Sequence, residues 1–471
     1  MSKMLQIPDE YQGLVRPMEN LLKDMTAWLE QCRGGSSLDY AQVERDVAAG
    51  VAQVERTIHQ AILQRLDVDH ARVSIQGRPH ARVGRYPATY YTLAGPVQVE
   101  RSLYRDVEQR NGPTVDAVSL RAGVVAEGWL PQTAQAMGHL IQQGTSREAE
   151  ATASAVSRLP YSRCSFERVG HAVGSLYAQD HMTIEQQLIE AYQVPREATG
   201  LSVSLDRVSV PMEEPHPNPP PRGPKDKPKR HVVRTFRMAY CGTVTLHDKD
   251  GKALHTIRYG RMPQGDAQGL CEGLASDVDE LRKQRPDLQV TLLADGAEEM
   301  WNLLDEELNH HTLGVEPLRL VDFWHAVEKL GSAARVLFGS RADAEFSRWR
   351  LMLLNQSTAA AQILADLRAS GREWACIGGA HPVHDAITYL DNHAAQMNYA
   401  KARRQGRPIG SGNVEATCKS LFEVRIKRSG SRWKEATGEH VVHLRALALS
   451  DRWTDAMRCT LAPLRKSVLA A

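Results

Sequence analysis

The chain has 471 residues, 42% of them apolar and 24% charged. That composition excludes a disordered or fibrous protein and, at about 150 residues per domain, predicts roughly three structural units. Net charge is only +2, which by itself points neither toward nucleic acid nor away from it.

The seven cysteines are an odd number with no Cys-x-x-Cys spacing, so neither a disulfide framework nor a cysteine zinc site is signalled and a reducing cytoplasm fits. No stretch approaches the roughly 18 uninterrupted apolar residues of a membrane span. The segment Met1–Asp9 lacks the basic-then-apolar layout of a signal peptide. The distribution of charge is more informative than its sum. Arg222–Arg237 holds seven basic residues and one acid, and Lys401–Trp433 holds nine basic residues and two acids. Two positive stripes on an otherwise acidic body suit a polyanionic partner, although one such run alone is more often a solvated face.

In chain order, Val47, Val51, Val54, Ile58 and Ile62 step by three or four and predict a long amphipathic helix. Thr89–Leu93 and the alternating Val97, Val99 and Leu103, separated by the turn Ala94-Gly95-Pro96, predict a β-hairpin. Residues 116–195 read as helical, with a capping box at Thr145 and Glu148. A short break at Leu159-Pro160-Tyr161 is compatible with a helix-turn-helix. At residue 201 the texture changes: Leu201–Leu205 is a strand expected to end at Asp206. The proline-rich Pro211–Pro228 is expected to be a loop, because proline does not suit a strand interior. Strands over Thr235–Leu246 and Ala253–Tyr259 follow, then a helix over Asp266–Lys283 and a strand ending at Asp295. A helix near Met300–Leu308 precedes a strand ending at Asp322. Residues 326–402 are almost purely helical, and Gly410-Ser411-Gly412 opens a last helix bearing Glu415. This order predicts an α/β fold, a ribonuclease H-like mixed sheet interrupted by a helical insertion, with an N-terminal helical and β-hairpin DNA-binding region.

Asp206, Asp295 and Asp322 are thus expected at the ends of three strands, where open α/β sheets assemble their sites. A strand-end acid is usually just a turn or helix cap, and Glu415 in a first helical turn is often no more than a partner of the helix dipole. Three such acids with Glu415 make a stronger case. Converging carboxylates need a cation, and hard oxygen ligands suit Mg²⁺ or Mn²⁺, two of which promote in-line attack on a phosphodiester. Lys419, Arg425, Lys427 and Arg428 are expected to continue along the helix of Glu415 toward DNA. His325, beside aromatics in Asp322-Phe323-Trp324-His325, is by itself more often a core residue than a catalyst.

The segment Gly406-Arg407-Pro408-Ile409-Gly410-Ser411-Gly412-Asn413-Val414-Glu415, then Arg425-Ile426-Lys427-Arg428-Ser429-Gly430-Ser431-Arg432-Trp433 and Leu444-Arg445-Ala446-Leu447, resembles bacterial insertion-sequence transposases. The type is the DDE class of the ISKra kind, related to the Mutator and hAT superfamilies. The Asp-x-x-His of Asp322 and His325 and the helical insertion before the final glutamate belong to the same resemblance, which covers residues 200–450 well. It implies a metal-binding triad of Asp206, Asp295 and Glu415, with Asp322 and His325 as an accessory dyad. It also implies Mg²⁺ or Mn²⁺, and double-stranded DNA as partner in the form of terminal inverted repeats and a target. Arg230, Lys419, Arg425, Lys427, Arg428, Arg432 and Trp433 would contact that DNA. A homodimer would hold two ends together, in a bacterial, nucleoid-associated cytoplasmic setting without a membrane. Relatives carry paired cysteines after the hairpin where this chain has Tyr104-Arg105-Asp106-Val107-Glu108, so a zinc-stabilised module is absent or replaced. The expected domains are an N-terminal helical region (1–70), a hairpin module (71–115), a helical DNA-binding region (116–198), the first part of the catalytic core (199–330), the insertion (331–404), the second part of the core (405–450) and a tail (451–471). Two other readings of the same sequence are a nuclease or resolvase without strand transfer and a non-catalytic DNA-binding protein.

Overall fold

A computed structural model describes residues 12–33, 35, 37–218 and 232–471. The chain forms two compact units, one of Met1–Asp180 with Met457–Ala471 and one of His181–Ala456.

In the first unit, helices α1 (Gln12–Arg33) and α2 (Tyr40–Leu66) pack together. Gly50 makes close approach possible, since a Cβ there would lie 2.8 Å from Leu21 Cδ1. Strands β1 (Arg72–Ile75), β2 (Arg78–Thr92), β3 (Gly95–Asp106) and β4 (Val115–Asp116) form an antiparallel sheet, with the C-terminal strand Val468–Ala470 on its β1 edge. The hairpin of β2 and β3 closes between Thr92 and Gly95. Helices α3 (Ala117–Ala122), α4 (Pro131–Gln143), α5 (Ser146–Ala155) and α6 (Arg163–Glu190) complete the run, and α6 leaves helical geometry at Asp180. The Thr145–Glu148 capping box forms in both directions. Among the described residues no helix is long and apolar enough to cross a membrane.

The second unit is a mixed five-stranded sheet of β5 (Gly200–Pro215), β6 (Val232–His247), β7 (Ala253–Arg261), β8 (Gln289–Ala294) and β9 (Leu318–Val321). Its order is β7-β6-β5-β8-β9, antiparallel across the first three strands and parallel from β5 to β8 to β9. Helix α7 (Ala267–Gln284) connects β7 to β8, and α8 (Glu298–Glu307) and α9 (His310–Leu313) connect β8 to β9. Helices α10 (Phe323–Phe338), α11 (Ala342–Asn355), α12 (Ala359–Ala369), α13 (Pro382–His393) and α14 (Tyr399–Arg404) follow, then α15 (Gly412–Cys418) and α16 (Glu435–Leu449).

Strand periodicity divides the sheet into two faces. Leu201, Val203, Leu205, Val244 and Leu246 share a core with Leu270, Leu274, Val278 and Leu281 of α7. The opposite face carries Ser204, Asp206, Thr243 and Cys241, small or polar side chains that leave room for α15. Gly260, the cross-strand partner of Cys241, marks that closeness, because a Cβ there would lie 2.6 Å from Leu421 and Val442.

Two expectations need correction. Strand β5 does not end at Asp206, and Pro211 is not in a loop. The strand runs on to Pro215 and pairs with β6 throughout. Beyond Ser204 its other edge leaves β8, and there the Pro211 carbonyl accepts from the Trp433 N–H (3.1 Å) while the Glu213 N–H donates to Trp433 (2.7 Å). A residue's N and O share one side of an extended strand, so the missing N–H of Pro211 falls on this irregular edge and costs no ladder bond. Residues 219–228 of the expected loop lie outside the described residues.

Candidate active site

Register places the three strand acids. Ser204 pairs with Leu293, and Leu293 pairs with Leu320. Asp206, Asp295 and Asp322 each lie two residues further on, so one row across β5, β8 and β9 carries all three on the α15 side. Asp206 sits within its strand, while Asp295 and Asp322 directly follow theirs.

The Asp206 carboxylate accepts from the Arg207 N–H (2.7 Å) and from the Cys418 thiol (3.4 Å). Burial pushes its pKa above the usual carboxylate range, and nearby Asp295 pushes the same way, against those two hydrogen bonds and His325. The Cys418 thiol is itself pushed up, first by a hydrogen bond with Cys241 and then by burial. Asp295 accepts from the Ala297 N–H (2.9 Å), and its carbonyl accepts from the Tyr389 hydroxyl of α13 (3.1 Å).

Asp322 is fully buried and already saturated. One oxygen caps α10 by accepting from the His325 N–H (2.9 Å), and the other accepts from the Ser411 N–H and from the Ser411 hydroxyl (2.8 Å). With the Phe323 N–H bound to the Ile409 carbonyl (3.0 Å), this ties the loop before α15 to the start of α10. The Gly410-Ser411-Gly412 segment therefore serves that junction. Gly410 is needed because a Cβ would lie 3.1 Å from Trp324.

Glu415 comes one turn into α15. Its ligand atom and those of Asp322 and His325 all lie within 4.8 Å of one another. Among the described residues the other group this tight is His181, Glu185 and His443; Asp206, Asp295 and Glu415 are not such a group. His325 Nδ1 lies 3.6 Å from Asp322 and is buried without a hydrogen-bond partner among the described residues. Asp295 and His325 act on Asp206 electrostatically, His325 lies beside Asp322, and the Cys418 thiol ties α15 to Asp206. Among the described residues no lysine or arginine forms an ion pair with Asp206, Asp295, Asp322 or Glu415.

The basic segment does not continue as a regular helix. After α15 the chain widens into a π-turn over Lys419–Glu423, with the Val424 N–H on the Lys419 carbonyl (3.0 Å), and then leaves helical geometry. Arg425 is buried with its guanidinium 4.8 Å from the Trp433 ring centre. The Trp433 indole donates to the Ile426 carbonyl (2.9 Å). Lys427 pairs with Glu423 (3.3 Å), Arg428 donates to the Val424 carbonyl (3.1 Å) and Arg432 lies 3.8 Å from Glu213. Lys419 is exposed, and Arg230 lies outside the described residues. Most of this segment's polar groups thus hold its own fold and the extension of β5. The motif reading passed over Cys241, Cys418 and Tyr389, which carry no spacing signal because they reach the acids only through the folded sheet and α13.

No protein-family model and no curated protein matches the chain. Among solved structures, the Drosophila P element transposase strand transfer complex is similar at a TM-score of 0.24 and 11% identity, over 70% of this chain and 83% of that one. A likeness that slight carries no argument.

Proposed function

We propose that the protein is a DNA transposase of the DDE class, whose acidic row cuts phosphodiester bonds at the ends of a mobile element and joins them to a target. The observation that carries this is a row of three aspartates with Glu415 and His325 beside it, none ion-paired to a lysine or arginine among the described residues. Like charges gathered without a neutralising side chain are relieved by protonation or by a cation from solution, and a divalent cation suits a phosphodiester-cutting site. The strand order and the helical insertion are those expected of a ribonuclease H-like core, which supports the same reading.

The donor set fits Mg²⁺ or Mn²⁺, since carboxylate oxygens dominate and His325 adds one nitrogen with no hydrogen-bond partner among the described residues. Asp206, Asp295 and Glu415 would hold the metal only by drawing closer than they stand here, where Glu415 groups with Asp322 and His325; when bound it would neutralise charge on the phosphate and lower the pKa of water. Asp322 has both oxygens engaged and acts by fixing the loop that delivers Glu415. His325, poised between Asp322 and Asp206, orients the phosphate or holds a proton at its free ring nitrogen. Water attacks phosphorus at the element's end, the bridging P–O bond breaks, and a 3′-hydroxyl is released. That hydroxyl then displaces a 3′-oxygen in the target, so bonds broken and made balance without a protein-bound intermediate.

The test is cleavage and joining of a labelled duplex carrying the inverted repeat that flanks the gene, with a mobility shift on the same samples. Glu415→Gln should still bind while Mg²⁺-dependent cleavage falls by orders of magnitude. Full cleavage by that variant overturns the assignment. Cleavage by the unaltered protein without any joined product reduces the reading to a nuclease.

A further inference from the structure

Arg425, Lys427, Arg428 and Arg432 are occupied within their own segment, and a set of cations without ion pairs lies elsewhere among the described residues. They line an open cavity of 760 Å³ in the second unit, whose walls include Lys249, Arg403, Arg404, Arg407 and Trp324. Lys249 comes from the β6–β7 turn, Arg403 and Arg404 from the end of α14, and Arg407 from the loop toward α15. None of these four forms an ion pair among the described residues. Asp250 is on the same wall, which leaves a net charge of about +3, large enough to raise the local concentration of an anion. His247 adds nothing, because burial lowers its pKa to about 4.

The arginines are aimed rather than loose. Arg403 donates to the Leu354 carbonyl (3.1 Å) and Asn355 (3.3 Å), and Arg404 donates to Ser357 (3.2 Å). Arg407 donates to Gln289 (2.8 Å) and to the Val290 carbonyl (3.0 Å). All these acceptors are neutral, so the guanidinium charge is left uncompensated while its direction is fixed. The floor is a backbone junction that only glycine permits. Gly406 has φ +64°, and a Cβ there would collide with the Lys249 carbonyl; Gly251 has φ +76°, and a Cβ would lie 3.1 Å from the Gly406 carbonyl. The lining also includes Trp324, Gly410 and Asn413. Trp324 precedes His325, and Asn413 stands two residues before Glu415.

We infer that this groove seats the phosphodiester backbone of the strand that enters the acidic row, with Lys249, Arg403 and Arg404 as the phosphate contacts and Arg407 as a fixed brace behind them. The inference rests on the proposed function only for the acidic row that Trp324 and Asn413 adjoin in sequence; occupancy by a nucleic-acid backbone is measurable without any cleavage.

The experiment measures binding of fluorescent 30-nucleotide DNA, single-stranded and duplex, by anisotropy from 50 to 300 mM salt without divalent ions, in the full chain carrying Glu415→Gln. Lys249→Ala, Arg403→Ala and Arg404→Ala combined should lower the log–log salt slope by about 2–3, at roughly 0.7–0.9 for each phosphate no longer neutralised. Affinity at 100 mM salt should fall at least tenfold. A charge-keeping control, Arg403→Lys with Arg404→Lys, should keep the slope and so exclude misfolding as the cause. An unchanged slope in the triple variant overturns the inference. So does competition by millimolar inorganic phosphate that disappears in the triple variant while DNA binding stays intact, since that marks a small-anion site. If the slope falls but the unaltered protein cuts no DNA, the groove stands and the transposase reading fails. Cleavage with an unchanged slope means the reverse.

Discussion

Among the described residues of the second unit, two groups of three His and carboxylate side chains are equally tight, and they differ in charge balance. Asp322, His325 and Glu415 lie within 4.8 Å of one another, as do His181, Glu185 and His443. The second group has its own cation: Arg261, 4% exposed in its side chain, lies 3.3 Å from Glu185, and His443 lies 3.0 Å from Glu439. Burial alone would raise the Glu185 pKa, but Arg261 and the two histidines outweigh it and bring it to about 2. Around the first group, burial and Asp295 drive Asp206 the other way. Ligand geometry therefore does not distinguish a structural network from a metal site. A resident arginine completes the structural kind, and on the proposed function a cation from solution takes that part at the other group.

The largest effect that can break this comparison is on cleavage. Mg²⁺ should raise the Tm of the unaltered protein, and Asp206→Asn and Asp295→Asn should each abolish that rise and reduce Mg²⁺-dependent cleavage by orders of magnitude. Without divalent ions they should leave Tm unchanged or raised, because each removes a repelling charge. A Tm drop with Mg²⁺ stabilisation intact would make these acids structural and remove the contrast. Glu185→Gln should behave oppositely. It removes the carboxylate 3.3 Å from buried Arg261, at a cost of up to about 3–5 kcal/mol, yet cleavage per folded molecule should be unchanged. A Glu185→Gln protein that keeps its stability but loses its response to Mg²⁺ would move the metal site to the other group.

The sheet and the three aspartates were legible in the sequence because each rests on a local pattern: a short apolar strand, an acid, a turn or helix start. What was not legible depends on long-range contacts. That β5 passes through Asp206 to Pro215 reflects its pairing with β6 and, on its other edge, Trp433 from more than 200 residues later in the chain. That Arg425 is buried depends on the same return, since its charge is spent on the Trp433 ring. Charge runs show how many cations a segment has, and only the fold shows which of them remain unpaired. Asp322 illustrates the limit from the other side: a motif residue in the right place, with both oxygens already occupied by His325 and Ser411.

The same comparison has a pH signature. The Glu185 pKa is about 2 in the folded protein against 4.5 as a free side chain. A depressed acid contributes stability that is fully present above pH 4.5 and is lost as pH falls toward 2, here about 3 kcal/mol. Arg261, His181 and His443 face Glu185, and His443 is itself held low by burial, partly offset by Glu439. A histidine with a lowered folded pKa also loses stability as it protonates, below about pH 6.5, so both groups steepen the acid limb. Urea unfolding across pH 7 to 3 should therefore show a limb that flattens in Glu185→Gln. An identical limb in that variant would mean the buried pair does not control acid stability.

The smallest expected effect tests how the helical insertion supports the open group. The Tyr389 hydroxyl donates to the Asp295 carbonyl at 3.1 Å, and Gly296 just beyond has φ +99°, where a Cβ would lie 3.1 Å from both Tyr389 and His393. The turn that aims the Asp295 carboxylate is thus braced from α13 as well as by the Ala297 N–H on Asp295 itself (2.9 Å). Tyr389→Phe removes one brace and keeps the ring, so stability should fall by about 1 kcal/mol. A purely structural hydroxyl would change nothing more. If it positions Asp295, the Mg²⁺ concentration for half-maximal cleavage should rise severalfold while saturated cleavage falls less than tenfold and DNA affinity stays the same. An unchanged Mg²⁺ midpoint would confine Tyr389 to the packing of α13, and the insertion would then support the acidic row through the Tyr399 hydroxyl, which donates to the Val321 carbonyl (3.1 Å).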